Sequence, residues 1–276
     1  MKKFNKKDYL IFGGCILLTI FAISYNQKII AENQIYFPRP LTDDDIKLYS
    51  NTDNNAVLVF PDLTNSAYQD QGFYPHNGTL ETYPLHDTIK LVPGINATYL
   101  TGLSGYSYLV QLHYPVITDT MIDQHPDILK QYNKVILLHN EYMTTNEFNA
   151  ISTHKNVIYL YPNSAYAQVT VDYKNWTMSL VRGHHYPTKD IENGFGFVTS
   201  SHGEYDLNCK NYKWVSMPNG MQLSCWGEFL IKSDRSVLQT IKDFPSKMPN
   251  LISAIKPVNM TIPRYDYTGN CISNCK

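Results

Sequence analysis

The stretch from residue 134 to residue 169 constrains the fold more than any other part of the chain. Residues 134–138 and 156–161 are short aliphatic runs of the kind that fits a sheet buried on both faces. Between them Thr144 stands three residues before Glu147, so its hydroxyl can cap a helix while the carboxylate bonds back to the amide of the cap. The stretch therefore predicts a βαβ unit with two parallel strands in one sheet.

Polar side chains follow both predicted strands. His139 and Glu141 come after the first strand, and Asn163 comes after the second. Ligands of open α/β sheets bind beyond the carboxyl ends of the strands, so these three residues are the candidate catalytic residues. The alternative is a hydrogen-bond network that only holds the crossover helix in place.

The composition limits the class of protein. The chain has 276 residues, of which 43% are hydrophobic, and this is enough for a sizeable core in one large domain or two small ones. The net charge of -1 argues against a nucleic-acid partner, because nucleic-acid binding normally requires a basic face.

The N-terminus resembles a targeting segment. Four lysines within the first seven residues precede an uncharged run from residue 9 to residue 26. This pattern is typical of a signal-anchor that crosses the cell membrane once, with the lysines in the cytoplasm and the rest of the chain outside. Cleavage after this segment would instead give a secreted protein.

The sequence predicts four segments. They are a cytoplasmic tip with a transmembrane helix at residues 1–26, a stalk at 27–55, an α/β domain at 56–256 and an irregular cysteine-containing tail at 257–276.

Four cysteines beyond Cys15 allow three disulfide pairings. A hairpin turn at residues 218–220 would bring Cys209 close to Cys225, and nearest-neighbour pairing would then join Cys271 to Cys275. A zinc site is the alternative, but the four cysteines contain no C-x-x-C spacing, and an exported chain favours disulfides. We therefore predict two disulfides.

Four N-x-[ST] sequons agree with export. They occur at Asn77, Asn96, Asn175 and Asn259, and each is a candidate glycosylation site if it lies in an exposed loop.

Two other stretches with polar or aromatic residues are predicted to be loops. Residues 63–79, which follow a buried-strand signal at 56–60 and Pro61-Asp62, contain Tyr68 and Tyr74. The histidine pair at 184–185 has no recognisable metal-ligand spacing, and solvated loop is the favoured interpretation there.

Several of these segments together resemble the N,N-dimethylformamidase large-subunit-like family. The resemblance covers about residues 56–182 and extends to singly anchored exported proteins of ammonia-oxidising archaea that share the HNEY motif. Its motifs are TNSAYQDQGFY at 64–74, ITDTMIDQHPDILKQY at 117–132, HNEYM at 139–143 and YPNSAYAQV at 161–169.

The resemblance implies a fold and a chemistry. The fold would be a class I glutamine amidotransferase-like (flavodoxin-like) α/β fold, a three-layer, mostly parallel sheet with helices on both faces. The reaction would be hydrolysis of small amides with iron, held by Glu141 together with tyrosines. Tyr68 and Tyr74 are the candidate tyrosine ligands by motif position, with His139 and Asn163 beside them.

Two non-enzymatic hypotheses compete with the hydrolase. One is a cell-surface module that binds envelope glycans or proteins, and the other is an accessory subunit of a membrane complex. A hydrolase requires a closed polar pocket with a metal, whereas a binding module requires an exposed aromatic patch.

Overall fold

The structure is a computed structural model that describes residues 55–73, 86–94, 102–196, 209–252, 264–265 and 271–273. The predicted transmembrane segment and nearly all of the predicted stalk lie outside these ranges. Within them, none of the helices has the length and hydrophobicity needed to cross a membrane.

The described residues form thirteen strands, six α-helices and one 3-10 helix. The strands are β1 Ala56–Phe60, β2 Thr88–Lys90, β3 Val116–Thr118, β4 Lys134–Leu137, β5 Tyr142–Thr144, β6 Val157–Tyr159, β7 Ala167–Asp172, β8 Thr177–Arg182, β9 Trp214–Met217, β10 Gly220–Leu223, β11 Leu251–Ile252, β12 Arg264–Tyr265 and β13 Cys271–Ser273. The helices are α1 Asp62–Ala67, α2 Leu103–Gln111, α3 Asp119–Gln124, a 3-10 helix at Pro126–Gln131, α4 Thr145–Thr153, α5 Glu228–Ser233 and α6 Arg235–Asp243.

The larger sheet has the strand order β11-β9-β10-β6-β4-β1-β3. Strands β10, β6, β4, β1 and β3 run parallel, while β9 runs antiparallel to β10 and parallel to β11. β4 pairs in parallel with β6 across α4, with Val135 opposite Val157. The predicted βαβ unit is therefore confirmed, as is a mixed α/β fold with a mostly parallel sheet.

The two faces of this sheet carry separate hydrophobic clusters, because successive side chains of a strand point to opposite faces. On one face Leu58, Ile136 and Ile158 pack with residues of α2, α5 and α6. On the other face Val57 and Val135 pack with residues of α3, α4 and the 3-10 helix. Helices thus cover both faces, as a three-layer arrangement requires.

A second sheet begins where the first one ends. Its order is β2-β8-β7-β5, and β5 pairs in parallel with β7, with Tyr142 opposite Ala167. Because β5 follows β4 closely and β7 follows β6, residues 138–141 and 160–166 lie at the junction between the two sheets. This junction is the carboxyl edge at which the candidate site was predicted.

The prediction of a loop at residues 63–79 is wrong for its first part, because residues 63–67 belong to helix α1. The backbone N–H of Leu63 in the first turn donates to Asp119 Oδ2 at 3.0 Å. A carboxylate that caps a helix satisfies an N–H that has no intrahelical partner. The cap comes from a residue far along the chain, so no local pattern announces this helix.

The C-terminal predictions are confirmed in part. Strands β9 and β10 form the predicted hairpin, and Cys209 is bonded to Cys225. The side chains of Cys271 and Cys275 lie outside what the structure describes, so their pairing stays a prediction. Of the four sequons, Asn175 is described and is exposed in the turn between β7 and β8, while Asn77, Asn96 and Asn259 lie outside the described residues.

Helix α4 has the predicted cap, but only one half of the predicted capping box. Thr144 Oγ1 accepts from the backbone N–H of Glu147 at 3.1 Å. The Glu147 side chain does not reach back, and neither of its oxygens has a hydrogen-bond partner among the described residues. Burial, followed by the charges of Asp119 and Asp123, raises the pKa of Glu147 well above its ordinary value.

We expect Glu147→Gln to stabilise the protein at pH 8 by about 1–3 kcal/mol, because a neutral amide replaces a buried carboxylate among other carboxylates. A carboxyl whose folded pKa is raised binds its proton more tightly when folded. Its contribution to stability is therefore full below the unfolded pKa and is lost as the pH rises above about 4.5. Urea unfolding of both proteins between pH 5 and pH 8 measures this, and a difference that does not grow with pH would contradict it.

Candidate functional site

Glu141 is held at the sheet junction by its backbone. Its N–H donates to Thr64 Oγ1 at 2.9 Å, and the N–H of Tyr142 donates to the same oxygen at 3.1 Å. The carbonyl oxygen of Glu141 accepts from the N–H groups of Tyr166 and Ala167. Helix α1 and the start of β7 therefore fix the position of Glu141 from two sides.

The carboxylate of Glu141 is buried, with a side-chain exposure of 1%, and both of its oxygens are engaged. Oε2 accepts from the Tyr68 hydroxyl at 2.7 Å and lies 3.0 Å from His139 Nε2. Oε1 lies 2.5 Å from His184 Nε2. A phenol and two imidazoles thus surround one carboxylate.

These partners determine the charge state of Glu141. Burial by itself would raise its pKa, but the charge of His184 and the hydrogen bonds from His139 and His184 outweigh burial. The pKa of Glu141 therefore lies well below its ordinary value of 4.5, and the group is a carboxylate at neutral pH.

His139 connects Glu141 to the end of the neighbouring strand. Its Nε2 lies 2.9 Å from Asn163 Nδ2 as well as 3.0 Å from Glu141 Oε2. One ring nitrogen cannot accept from an amide and donate to a carboxylate at once, so the two contacts belong to different protonation states. The ring is buried and stacks on Tyr161 at a centroid distance of 5.1 Å, and the Trp226 ring packs edge-to-face with it at a centroid distance of 4.5 Å.

The structure brings together four of the five residues that were predicted for the site. Tyr68, His139, Glu141 and Asn163 are connected by the contacts described above, and Tyr74 lies outside the described residues. The parallel pairing of β4 with β6 explains this for His139, Glu141 and Asn163, because their side chains follow adjacent strand ends.

His184 is the residue that sequence reasoning missed. The favoured interpretation of a solvated loop at 184–185 is wrong for His184, which contacts Glu141, and correct for His185, which is exposed. The sequence distance between His184 and the HNEY motif matches no known metal-ligand pattern. His184 reaches the junction because the antiparallel pairing of β7 with β8 brings the loop after β8 back to it.

Two oxygen donors meet at this site, the Glu141 carboxylate and the Tyr68 hydroxyl. Within the described ranges, no three His, Cys, Asp or Glu side chains are grouped so as to hold a metal ion. A carboxylate paired with a phenol is a different donor set, and the oxygens of Glu141 and Tyr68 lie 2.7 Å apart. Hard oxygen ligands of this kind suit ferric iron and similar Lewis acids.

Comparisons with known proteins do not assign a role to this site. No protein-family model matches the chain, and no curated protein matches it.

Proposed function

We propose that the domain is a hydrolase of small amide C–N bonds and that Tyr68, His139, Glu141 and Asn163 belong to its active site. The observation that carries the proposal is the buried, ionised carboxylate of Glu141 with a phenol and two imidazoles around it. Carboxylates with strongly shifted pKa values cluster in active sites, and active sites of α/β proteins lie at the carboxyl edge of the sheet.

Iron is the metal that the family resemblance implies, and Glu141 and Tyr68 are the residues that would hold it. When bound, such an ion would polarise the amide carbonyl and lower the pKa of a water molecule. Tyr74 remains a candidate ligand by motif position only.

His139 is the candidate general base. As a neutral ring its Nε2 accepts from Asn163 Nδ2, and once Nε2 has taken a proton it donates to Glu141 Oε2. Tyr161 and Trp226 enclose the ring and orient it. The pair of partners thus gives Nε2 a hydrogen bond both before and after proton transfer.

A non-catalytic role is the second candidate, because the donors around Glu141 also satisfy its carboxylate oxygens, as in a network that only holds the junction. The domain would then be a cell-surface module for envelope glycans or proteins, or an accessory subunit of a membrane complex. In either role we propose an exported domain anchored in the membrane, which the Cys209–Cys225 disulfide supports because disulfides persist in oxidising compartments.

Metal content and amide hydrolysis of the purified full-length protein test the proposal. We expect about one iron per chain in the wild type and in Glu192→Ala, an exposed control, and no iron in Glu141→Ala. Hydrolysis of small formamides and acetamides should fall by at least about 100-fold in Glu141→Ala. A folded wild type that binds no iron after reconstitution and cleaves none of these amides would leave the non-catalytic role.

A further inference from the structure

His184 reaches Glu141 from outside the two strands that carry the predicted site. Its Nε2 lies 2.5 Å from Oε1, whereas Tyr68 and His139 both contact Oε2. The described contacts therefore assign one carboxylate oxygen to the predicted residues and the other to His184.

The backbone at His184 adopts a conformation that is unfavourable for a residue with a side chain. His184 has φ 52° and His185 has φ 64°, and the preceding Gly183 has φ 114°. Left-handed backbone is unfavourable for a residue other than glycine. Hydrogen bonds from the N–H of His184 to the Glu192 carbonyl and from the N–H of His185 to the Ile191 carbonyl hold this turn.

Glycine at position 183 permits the approach of this turn to the sheet. A Cβ there would lie 2.9 Å from the Ala167 Cα and from the Tyr166 carbonyl oxygen, which is closer than real side chains come. The turn therefore lies directly against the start of β7, the same strand end whose N–H groups hold the Glu141 carbonyl.

Two tyrosine rings orient the imidazole. His184 stacks on Tyr142 at a centroid distance of 5.4 Å and an interplanar angle of 25°, and Tyr166 flanks it at 4.7 Å. Because the two tyrosine rings restrict rotation of the His184 side chain, its Nε2 stays directed at Oε1 of Glu141.

Exposure separates His184 from the groups beneath it. Its side chain is 25% exposed, whereas those of Glu141 and His139 are 1% exposed. The imidazole thus has solvent on one side and the buried carboxylate on the other.

From these observations we propose that His184 is a positioning residue of this site, which holds Oε1 of Glu141 in place and shields it from solvent. The significance for catalysis rests on the proposed function, but the contact itself can be tested without any activity. His185 lies in the same turn but directs its Nδ1 at the Lys189 carbonyl at 2.8 Å, so it is the matched control for His184.

Carboxyl footprinting of the full-length protein tests the proposal. Each variant is treated with a carbodiimide and glycine ethyl ester, and labelling at Glu141 is followed by mass spectrometry. We expect the labelling rate at Glu141 to rise at least about tenfold in His184→Ala, because a buried group becomes accessible. The rate should not change in His185→Ala, which removes a neighbouring exposed imidazole. Glu147 reports on the fold, since it is fully buried and should stay unlabelled in every variant.

Rescue separates a positioning role from simple loss of packing. His184→Gln, whose side-chain amide can donate to Oε1, and His184→Ala with added imidazole should both restore protection of Glu141. Protection of Glu141 that persists in His184→Ala, or equal labelling in His185→Ala, would overturn the proposal. If Glu141 becomes labelled as expected in His184→Ala while the wild type binds no iron and cleaves no amide, the positioning role stands and the proposed function fails.

Discussion

Replacing Glu141 by glutamine should lower the free energy of unfolding by about 3–5 kcal/mol at pH 7, because it removes the charged partner of a buried ionic network. The Tyr68 hydroxyl and two imidazole nitrogens converge on this carboxylate. A glutamine offers one acceptor oxygen in place of two, and its amide nitrogen is a donor facing other donors. Guanidinium unfolding monitored by circular dichroism measures the loss.

The pH dependence of this loss has a definite sign. The folded pKa of Glu141 lies below its ordinary value of 4.5, so the carboxylate contributes stability above that value. The contribution disappears as the pH falls below 4.5 and the unfolded chain takes up protons that the folded chain does not. The difference in free energy of unfolding between wild type and Glu141→Gln should therefore shrink as the pH is lowered from 6 to 3. Glu192→Gln, an exposed change in the loop beside His184, is the control and should stay within about 0.5 kcal/mol of the wild type.

Lys134→Met should destabilise the fold by about 2–4 kcal/mol, because it removes three charge-assisted hydrogen bonds in the interior. Lys134 is the first residue of β4 and is 1% exposed. Its Nζ donates to the carbonyl oxygens of Ile241, Lys242 and Phe244, at 2.7, 3.0 and 2.7 Å. These carbonyls end helix α6, where a positive charge also interacts favourably with the negative end of the helix dipole.

Lys130→Met is the matched control for this change. Its side chain is 78% exposed and pairs only at the surface with Asp127, so its effect should lie within about 0.5 kcal/mol. Unfolding midpoints in urea compare the two variants. Equal midpoints for the two variants would contradict the prediction. They would show that packing of the methionine side chain compensates for the three lost hydrogen bonds and that the three carbonyls find other partners.

Local patterns were sufficient for the central unit of the fold. The aliphatic runs of β4 and β6 indicated strands of a sheet buried on both faces, and Thr144 marked the start of α4. Once those strands are parallel, their carboxyl ends must meet, so His139, Glu141 and Asn163 could be placed together in advance. The hairpin that brings Cys209 to Cys225 was predictable for the same reason, because its turn and both of its strands are adjacent in sequence.

The sequence by itself therefore determined the βαβ unit, the edge of the sheet at which the site lies and three of its polar residues. Only the tertiary structure decided that Asp119 caps α1, that the three-residue strand β5 starts a second sheet, and that His184 covers Oε1 of Glu141. Each of these depends on a contact between residues far apart in the chain. Such contacts follow from which strands pair and how loops return, and hydrophobic periodicity within a short window carries no information about either.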